Sequence, residues 1–182
     1  INKIIFSTLL LVLSPIYFII ALIIILDDGF PIFFKQKRVG LKNSKFWIYK
    51  FRTMKKNTPD IPTHLVGSNT DFFTKLGPFF RKYSLDELPQ LLNVLKGDLV
   101  LIGPRPALHN QEDLILLRTK KGVHRLKPGI TGWAQVNGRD NLSIEDKVDL
   151  DYYYYKNKSL YLDCIIILRT IIKVVRAEDI SR

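Results

Sequence analysis

The chain's 182 residues suffice to bury one domain's core, and a content of 47% hydrophobic and 12% aromatic residues excludes a disordered chain. Lys and Arg total 28 against 17 Asp and Glu, and the net charge of +11 calls for an anionic partner: nucleic acid, acidic lipid or a phosphorylated substrate. The single cysteine, Cys164, excludes an intramolecular disulfide and a Cys-rich zinc site; within its apolar run it reads as a small buried hydrophobe.

Ile4 to Leu26 is a run of 23 residues without a charge. A bilayer span needs about 20 apolar residues, so this is a membrane segment. A signal peptide fits poorly, because only Lys3 precedes the run, no small-residue cleavage pattern is present, and Asp27-Asp28 follow at once. Ser14-Pro15 lies at its middle. Proline removes an amide hydrogen bond and crowds the preceding turn, so a kink is expected, and Ser14 can bond back to a freed carbonyl. Two outcomes stay open, a kinked helix that spans and a bent one that re-enters, since halves of about eleven residues reach only ~16 Å each.

Residues 35–56 carry nine basic side chains and no acid: Lys35, Lys37, Arg38, Lys42, Lys45, Lys50, Arg52, Lys55 and Lys56. The positive-inside rule places this stretch, and with it the body of the protein, on the cytoplasmic side. Two domains of unequal size are expected: residues 1–26 in the membrane, and residues 27–182 as one structural unit at its face.

Within that unit, residues 31–36 and 45–51 read as two short strands joined through Gly40 and Lys42-Asn43-Ser44, a hairpin. Residues 57–70 read as loop. Phe72 to Tyr83 is a basic aromatic segment broken by Gly77-Pro78, and Leu88 to Lys96 a short helix ended by Gly97. Leu99 to Ile102 is extended, Glu112 to Lys121 helical, and residues 127–140 a glycine-rich loop. Ile144 to Lys156 and Leu160 to Ala177 close the chain as helices. The last carries Ile165 to Leu168, Ile171-Ile172 and Val174-Val175 among Arg169, Lys173 and Arg176, a pattern for a helix on a membrane surface or in a core. The fold class is α+β, mostly helical.

Ser84-Leu85-Asp86-Glu87 matches a capping box. Against that reading stands Pro89, which would fall at the fifth helical position, whereas proline is at home at the first. If Pro89 opens the helix, Asp86 and Glu87 sit just ahead of its positive end. They can then hold different roles, one a nucleophile and the other an acid, base or orienting group. An ionised Asp86 can also hold Mg²⁺, which takes one or two carboxylates together with substrate phosphates. In Gly103-Pro104-Arg105-Pro106 two prolines stiffen the backbone around one arginine fork, a geometry suited to phosphate and also to an ordinary turn. Lys127 to Asp140 is glycine-spaced and can cradle an anion, but it is neither a Walker loop nor a dinucleotide fingerprint. Lys50-Phe51-Arg52 is a basic strand end, facing solvent, lipid or ligand. His64, His109 and His124 lack ligand spacing, and Tyr152 to Tyr155 read as interfacial packing.

Six motifs occur in order: Gln36-Lys37-Arg38-Val39-Gly40, Tyr49-Lys50-Phe51-Arg52-Thr53-Met54, Leu85-Asp86-Glu87-Leu88-Pro89-Gln90, Gly103-Pro104-Arg105-Pro106, Pro128-Gly129-Ile130-Thr131-Gly132 and Asn137-Gly138-Arg139. Together, over nearly the whole chain, they resemble the bacterial sugar transferases, the monotopic phosphoglycosyl transferases, and in particular their small PglC-like members. The resemblance implies a re-entrant N-terminal helix bent at Ser14-Pro15 with both ends cytoplasmic, at the bacterial inner membrane. It implies a catalytic dyad, Asp86-Glu87, with Asp86 attacking the sugar-bearing phosphate of a UDP-sugar to form a covalent phosphosugar-enzyme. UMP leaves, and a polyprenyl phosphate, undecaprenyl phosphate in bacteria, takes the phosphosugar. It further implies Mg²⁺ at Asp86 and phosphate binding by Lys50, Arg52, Arg81, Arg105 and Arg139. Asp151 and Asp163 match acidic positions without an assigned role. Lys127 departs from the arginine common there, keeping charge but losing the bidentate fork. A homodimer is compatible with the sequence.

Two other classes compete. A membrane-tethered module that binds anionic lipid without catalysis explains charge and anchor but not Asp86-Glu87 beside a proline-framed arginine. A nucleic-acid binder should interleave its basic residues with exposed aromatics or carry a recognition helix, and here they abut a membrane segment. No nucleic acid is expected.

Overall fold

In the computed structural model, which describes residues 3–56, 58, 72–138 and 141–176, the apolar run forms a single helix, α1 (Lys3–Asp28), which continues through Pro15. Its stretch Phe6–Asp28, whose most apolar 18-residue window has a mean hydropathy of 3.0, is long and apolar enough to cross a membrane. Most of that surface faces outward, with Leu11 75% and Leu26 77% exposed. Only one stripe is turned inward. Tyr17, Ile20, Ile23 and Ile24 pack with Ile32, Phe51, Phe80, Leu85 and Leu88, and the Tyr17 hydroxyl donates to the Leu88 carbonyl at 2.5 Å. Burial of these side chains, at about 25 cal/mol per Å² of apolar surface, fastens the helix to the body.

The hairpin forms as the alternating pattern predicts. β1 (Phe33–Val39) pairs antiparallel with β2 (Lys45–Phe51), from Phe33 opposite Phe51 to Val39 opposite Lys45. The first strand starts two residues later than the pattern suggests and continues to Val39. Lys42 and Asn43 turn the chain at φ 50° and 62°. Gly77-Pro78 starts a helix instead of breaking one: α2 (Gly77–Lys82) has its proline in the first turn, where a missing N–H costs nothing.

The capping-box reading of Ser84 is overturned. Ser84 sits at φ 54°, makes no side-chain cap bond, and leads into a single 3₁₀ turn, Leu85–Glu87. The helix proper, α3 (Gln90–Lys96), opens after Pro89 and is ended by Gly97 at φ 86°. Proline at that boundary gives up no helical hydrogen bond.

The segment 127–140 holds more than loop. β3 (Val100–Ile102) runs parallel to β4 (Gly129–Thr131), and α5 (Trp133–Val136) follows. The two strands cross very closely, since a Cβ at Gly129 would stand 2.1 Å from the Gly103 nitrogen. α4 (Glu112–Lys120), α6 (Ile144–Asn157) and α7 (Leu160–Arg176) occupy the spans their patterns predict, α6 beginning at Ser143, whose side chain accepts from the Asp146 amide. Tyr154 packs with Val136, Leu162 and Ile166 in one core, and Ala107, Leu114 and Val148 form another. Cys164 is exposed, contrary to its apolar neighbourhood. On α7 the inward positions are Leu162 and Ile166, one turn apart, and a residue midway between them faces away. Leu160, Leu168, Ile171 and Val175 share that exposure.

Gly129→Ala puts a methyl group into backbone that has no room to yield. It is expected to lower the thermal midpoint on the order of 5–10 °C and turnover with it, in a melt of the detergent-solubilised protein. An unchanged midpoint would contradict the close crossing.

Candidate active site

The site is assembled from three local constraints. The 3₁₀ turn Leu85–Glu87 buries Leu85 against α1 and, with Leu88, clamps the two intervening carboxylates in place. β2 brings Lys50. The Gly103-Pro104-Arg105-Pro106 segment brings Arg105. Lys50 Nζ donates to Glu87 Oε1 at 2.8 Å, and Arg105 Nη2 donates to the same oxygen at 3.0 Å. Asp86 is treated differently: Lys50 Nζ stands 3.9 Å from its Oδ2, too far for a hydrogen bond. Both carboxylates are buried. One is thus tied by two cations, while the other lies within their field but is not bonded by Lys50.

Burial governs the ionisation of this cluster. It pushes the Asp86 carboxyl above the usual carboxylate range; Lys50 opposes this, the Glu87 charge adds to it, and Arg81 and Arg105 oppose it further. Burial likewise pushes the Lys50 ammonium below its ordinary value, against Glu87 and Asp86. Both are the expected sign for charged groups removed from water.

The arginine loop is held through its carbonyls, since two of its residues have no N–H to offer. Pro104 O accepts from the Gly129 amide at 3.0 Å, Arg105 O from Arg118 Nη1 at 2.8 Å and Pro106 O from Arg38 Nη1 at 3.1 Å. Arg118 is itself buried and held by Asp151 Oδ2, at 2.9 Å from Nε and 2.6 Å from Nη2. Burial raises the Asp151 carboxyl, and Arg118 offsets that. Asp151, left without a role by sequence, therefore anchors the loop. Asp163 accepts from the Tyr154 hydroxyl at 2.7 Å, tying α7 to α6. Arg118, in the last turn of α4 with no motif around it, carries no signal in the sequence that singles it out.

Of the expected phosphate binders, Lys50 and Arg105 meet at Glu87. Arg81 lies 5.3 Å over the Phe73 ring and near enough to act on Asp86. Arg52 is turned elsewhere. It follows the last residue of β2, where the strand alternation ends, and its Nη2 donates to the Asp28 and Gly29 carbonyls at 3.1 and 2.6 Å, closing the end of α1. Its Nη1 also lies 2.9 Å from Asp28 Oδ2, an ion pair without hydrogen-bond geometry. Arg139 lies outside the described residues. Lys127 donates to the Gly97 carbonyl at 3.0 Å.

Glu87 and Arg105 also line a cavity of about 340 Å³, together with Lys173 and Val174 of α7, Leu9 and Leu13 of α1 and Val136 of α5. Among the described residues no group of three or more His, Cys, Asp and Glu can hold a metal ion.

Two buried carboxylates beside Lys50 and Arg105, of which Glu87 lines a mostly apolar cavity next to a membrane-length helix, define a membrane-associated protein with a charged site. The bacterial sugar transferase profile matches residues 1–177, and the chain belongs to that family. A similar protein named uncharacterized sugar transferase EpsL, of Bacillus subtilis (strain 168), is 49% identical over 86% of this chain and 76% of its own length. UDP-glucose:undecaprenyl-phosphate glucose-1-phosphate transferase of Escherichia coli (strain K12) is 39% identical over 92% of this chain and 38% of its own length. UDP-N-acetylgalactosamine-undecaprenyl-phosphate N-acetylgalactosaminephosphotransferase of Aeromonas hydrophila is 40% identical over 87% of this chain and 38% of its own length. The chain thus spans well under half of the last two. As a transferase it is an enzyme, which sets aside the non-catalytic lipid-binding module.

A carboxyl pushed upward by burial is ionised at a cost to the fold, and that cost disappears as the pH falls through the raised value or when the carboxylate becomes an amide. Asp86→Asn is therefore expected to raise the thermal midpoint while abolishing turnover, a trade seen where function keeps a destabilising charge. A lowered midpoint with activity retained would contradict the assignment.

Proposed function

We propose that this chain moves a phosphosugar from a UDP-sugar to a polyprenyl phosphate, undecaprenyl phosphate in bacteria, releasing UMP and starting assembly of a cell-surface glycan. The observation that carries the reading is the difference between the two carboxylates. Glu87 is tied down by Lys50 and Arg105, whereas Asp86, its neighbour, receives no hydrogen bond from Lys50. A nucleophile needs free lone pairs, and an orienting group needs fixed ones.

An Asp86 oxygen attacks the sugar-bearing phosphorus of the donor. The bond to the bridging oxygen breaks, and UMP departs with that electron pair. The phosphosugar then sits on Asp86 as an acyl phosphate. A phosphate oxygen of the polyprenyl acceptor attacks the same phosphorus and releases the carboxylate. Dividing the transfer in two lets one cationic site serve both half-reactions. Lys50, Arg105 and Arg81, grouped around the two carboxylates, offset charge on the transferring group, and Arg139, which lies outside the described residues, is assigned the same role from the resemblance. Glu87 keeps Lys50 and Arg105 aimed.

Asp86 would also suit Mg²⁺, which takes one or two carboxylates and draws its remaining ligands from substrate phosphates. Bound there with the diphosphate, the ion supplies charge neutralisation.

The acceptor is amphipathic, and so is the cavity, whose lining combines Glu87, Arg105 and Lys173 with leucine and valine side chains. Its prenyl chain enters beside α1, bent at Ser14-Pro15 as a re-entrant helix in the cytoplasmic membrane. The exposed apolar face of α7, together with Phe30, Phe33 and Phe79, rests at the same interface.

The test is a panel of UDP-sugars with undecaprenyl phosphate and Mg²⁺. The expected result is UMP release with one donor or a few, lost on EDTA and restored by Mg²⁺. Release of UDP would show that the other bond is cleaved and would overturn the proposal.

A further inference from the structure

Lys50 reaches Glu87 only if β2 lies in one register against α3. That strand has β1 on one side; on the other its backbone edge is taken by a side chain. Asn93, fully buried on α3, accepts from the Tyr49 amide at Oδ1 (3.1 Å) and donates from Nδ2 to the Trp47 carbonyl (2.7 Å). Nδ2 also lies 3.3 Å from Asp98 Oδ2. Residues two apart on a strand present their N–H and C=O to the same side. The carboxamide therefore acts as a one-residue third strand, supplying the donor and the acceptor that an edge lacks. Only this amide orientation satisfies all three contacts.

Asn93 stands six residues after Glu87 in the chain and touches the two residues that bracket Ile48, with Lys50 next in line. The segment that carries the carboxylates thus also carries the clamp for their cation. We propose that Asn93 is a positioning residue that docks the β2 edge on α3 and thereby holds Lys50 Nζ against Glu87 and Asp86. Its bearing on turnover rests on the functional reading above; its hold on Lys50 does not.

Two substitutions separate these. Asn93→Ala removes both bonds. Asn93→Asp keeps an acceptor for Tyr49 but turns a second oxygen toward the Trp47 carbonyl. The readout is acetylation of Lys50 by acetic anhydride at one pH, measured by peptide mass against the exposed Lys42 in the same sample. Lys50, with a side chain 16% exposed, is expected to label slowly in the wild type and several-fold faster in both variants. UMP release is expected to fall on the order of 100-fold, as for a displaced catalytic group. In a Lys50→Met background Asn93→Asp is expected to add no further loss. Unchanged Lys50 labelling, or losses that multiply in the double variant, would overturn the proposal. Faster labelling with undiminished UMP release would support the hold on Lys50 and instead sink the catalytic reading of the Lys50–Glu87 pair. Should neither variant fold, amide hydrogen exchange on the unaltered protein decides: Tyr49 is expected to exchange slowly, and fast exchange would overturn the bond.

Discussion

One carboxylate oxygen, Glu87 Oε1, receives both Lys50 and Arg105, and the fold is arranged to make that meeting happen. Taking two carboxylates and two cations out of water is expensive, and their mutual attraction repays the cost only when the geometry is good. Each partner therefore comes from a separately fastened piece of chain. The carboxylates ride on a turn pinned by Leu85 and Leu88. Lys50 rides on a strand clamped at both edges. Arg105 rides on a loop whose carbonyls are gripped in succession by Gly129, Arg118 and Arg38. Such a cluster is a weak source of stability and a strong way to specify one geometry, which suits a reaction needing fixed charges at a transferring phosphoryl group.

The apolar elements explain why the cluster sits where it does. α1 packs beside the carboxylate turn, and the Tyr17 hydroxyl donates to the carbonyl of Leu88 just after it. Leu9 and Leu13, earlier in the same helix, line the same cavity as Glu87 and Arg105.

Much of this was legible in the chain. The hairpin shows in its two short strand runs and the turn residues between them, the end of α3 in Gly97, and its start in the mismatch between a capping box and a misplaced proline. What stayed hidden has physical reasons. β3 falls in the run Leu99 to Ile102 that reads as extended, but its partner β4 is three residues long and pairs with it in parallel across a long sequence gap, so no local period marks it. Arg52 looks like Lys50 in the sequence, yet it falls just past the strand, where alternation no longer sets direction. Cys164 has apolar neighbours but lies on the outer face of its helix. Arg118 and Asn93 carry no motif, and their importance comes from backbone groups far along the chain that need partners. Arg139, which the resemblance marked, lies outside the described residues.

The central claim is that Asp86 itself takes up the phosphorus. The most direct measurement is intact mass and peptide mapping after mixing the protein with its UDP-sugar donor and Mg²⁺ in the absence of any lipid acceptor. The account predicts a phosphosugar adduct on Asp86, matched by stoichiometric UMP and discharged when polyprenyl phosphate is added. Turnover without any such adduct, or an adduct mapped to another residue, would contradict it.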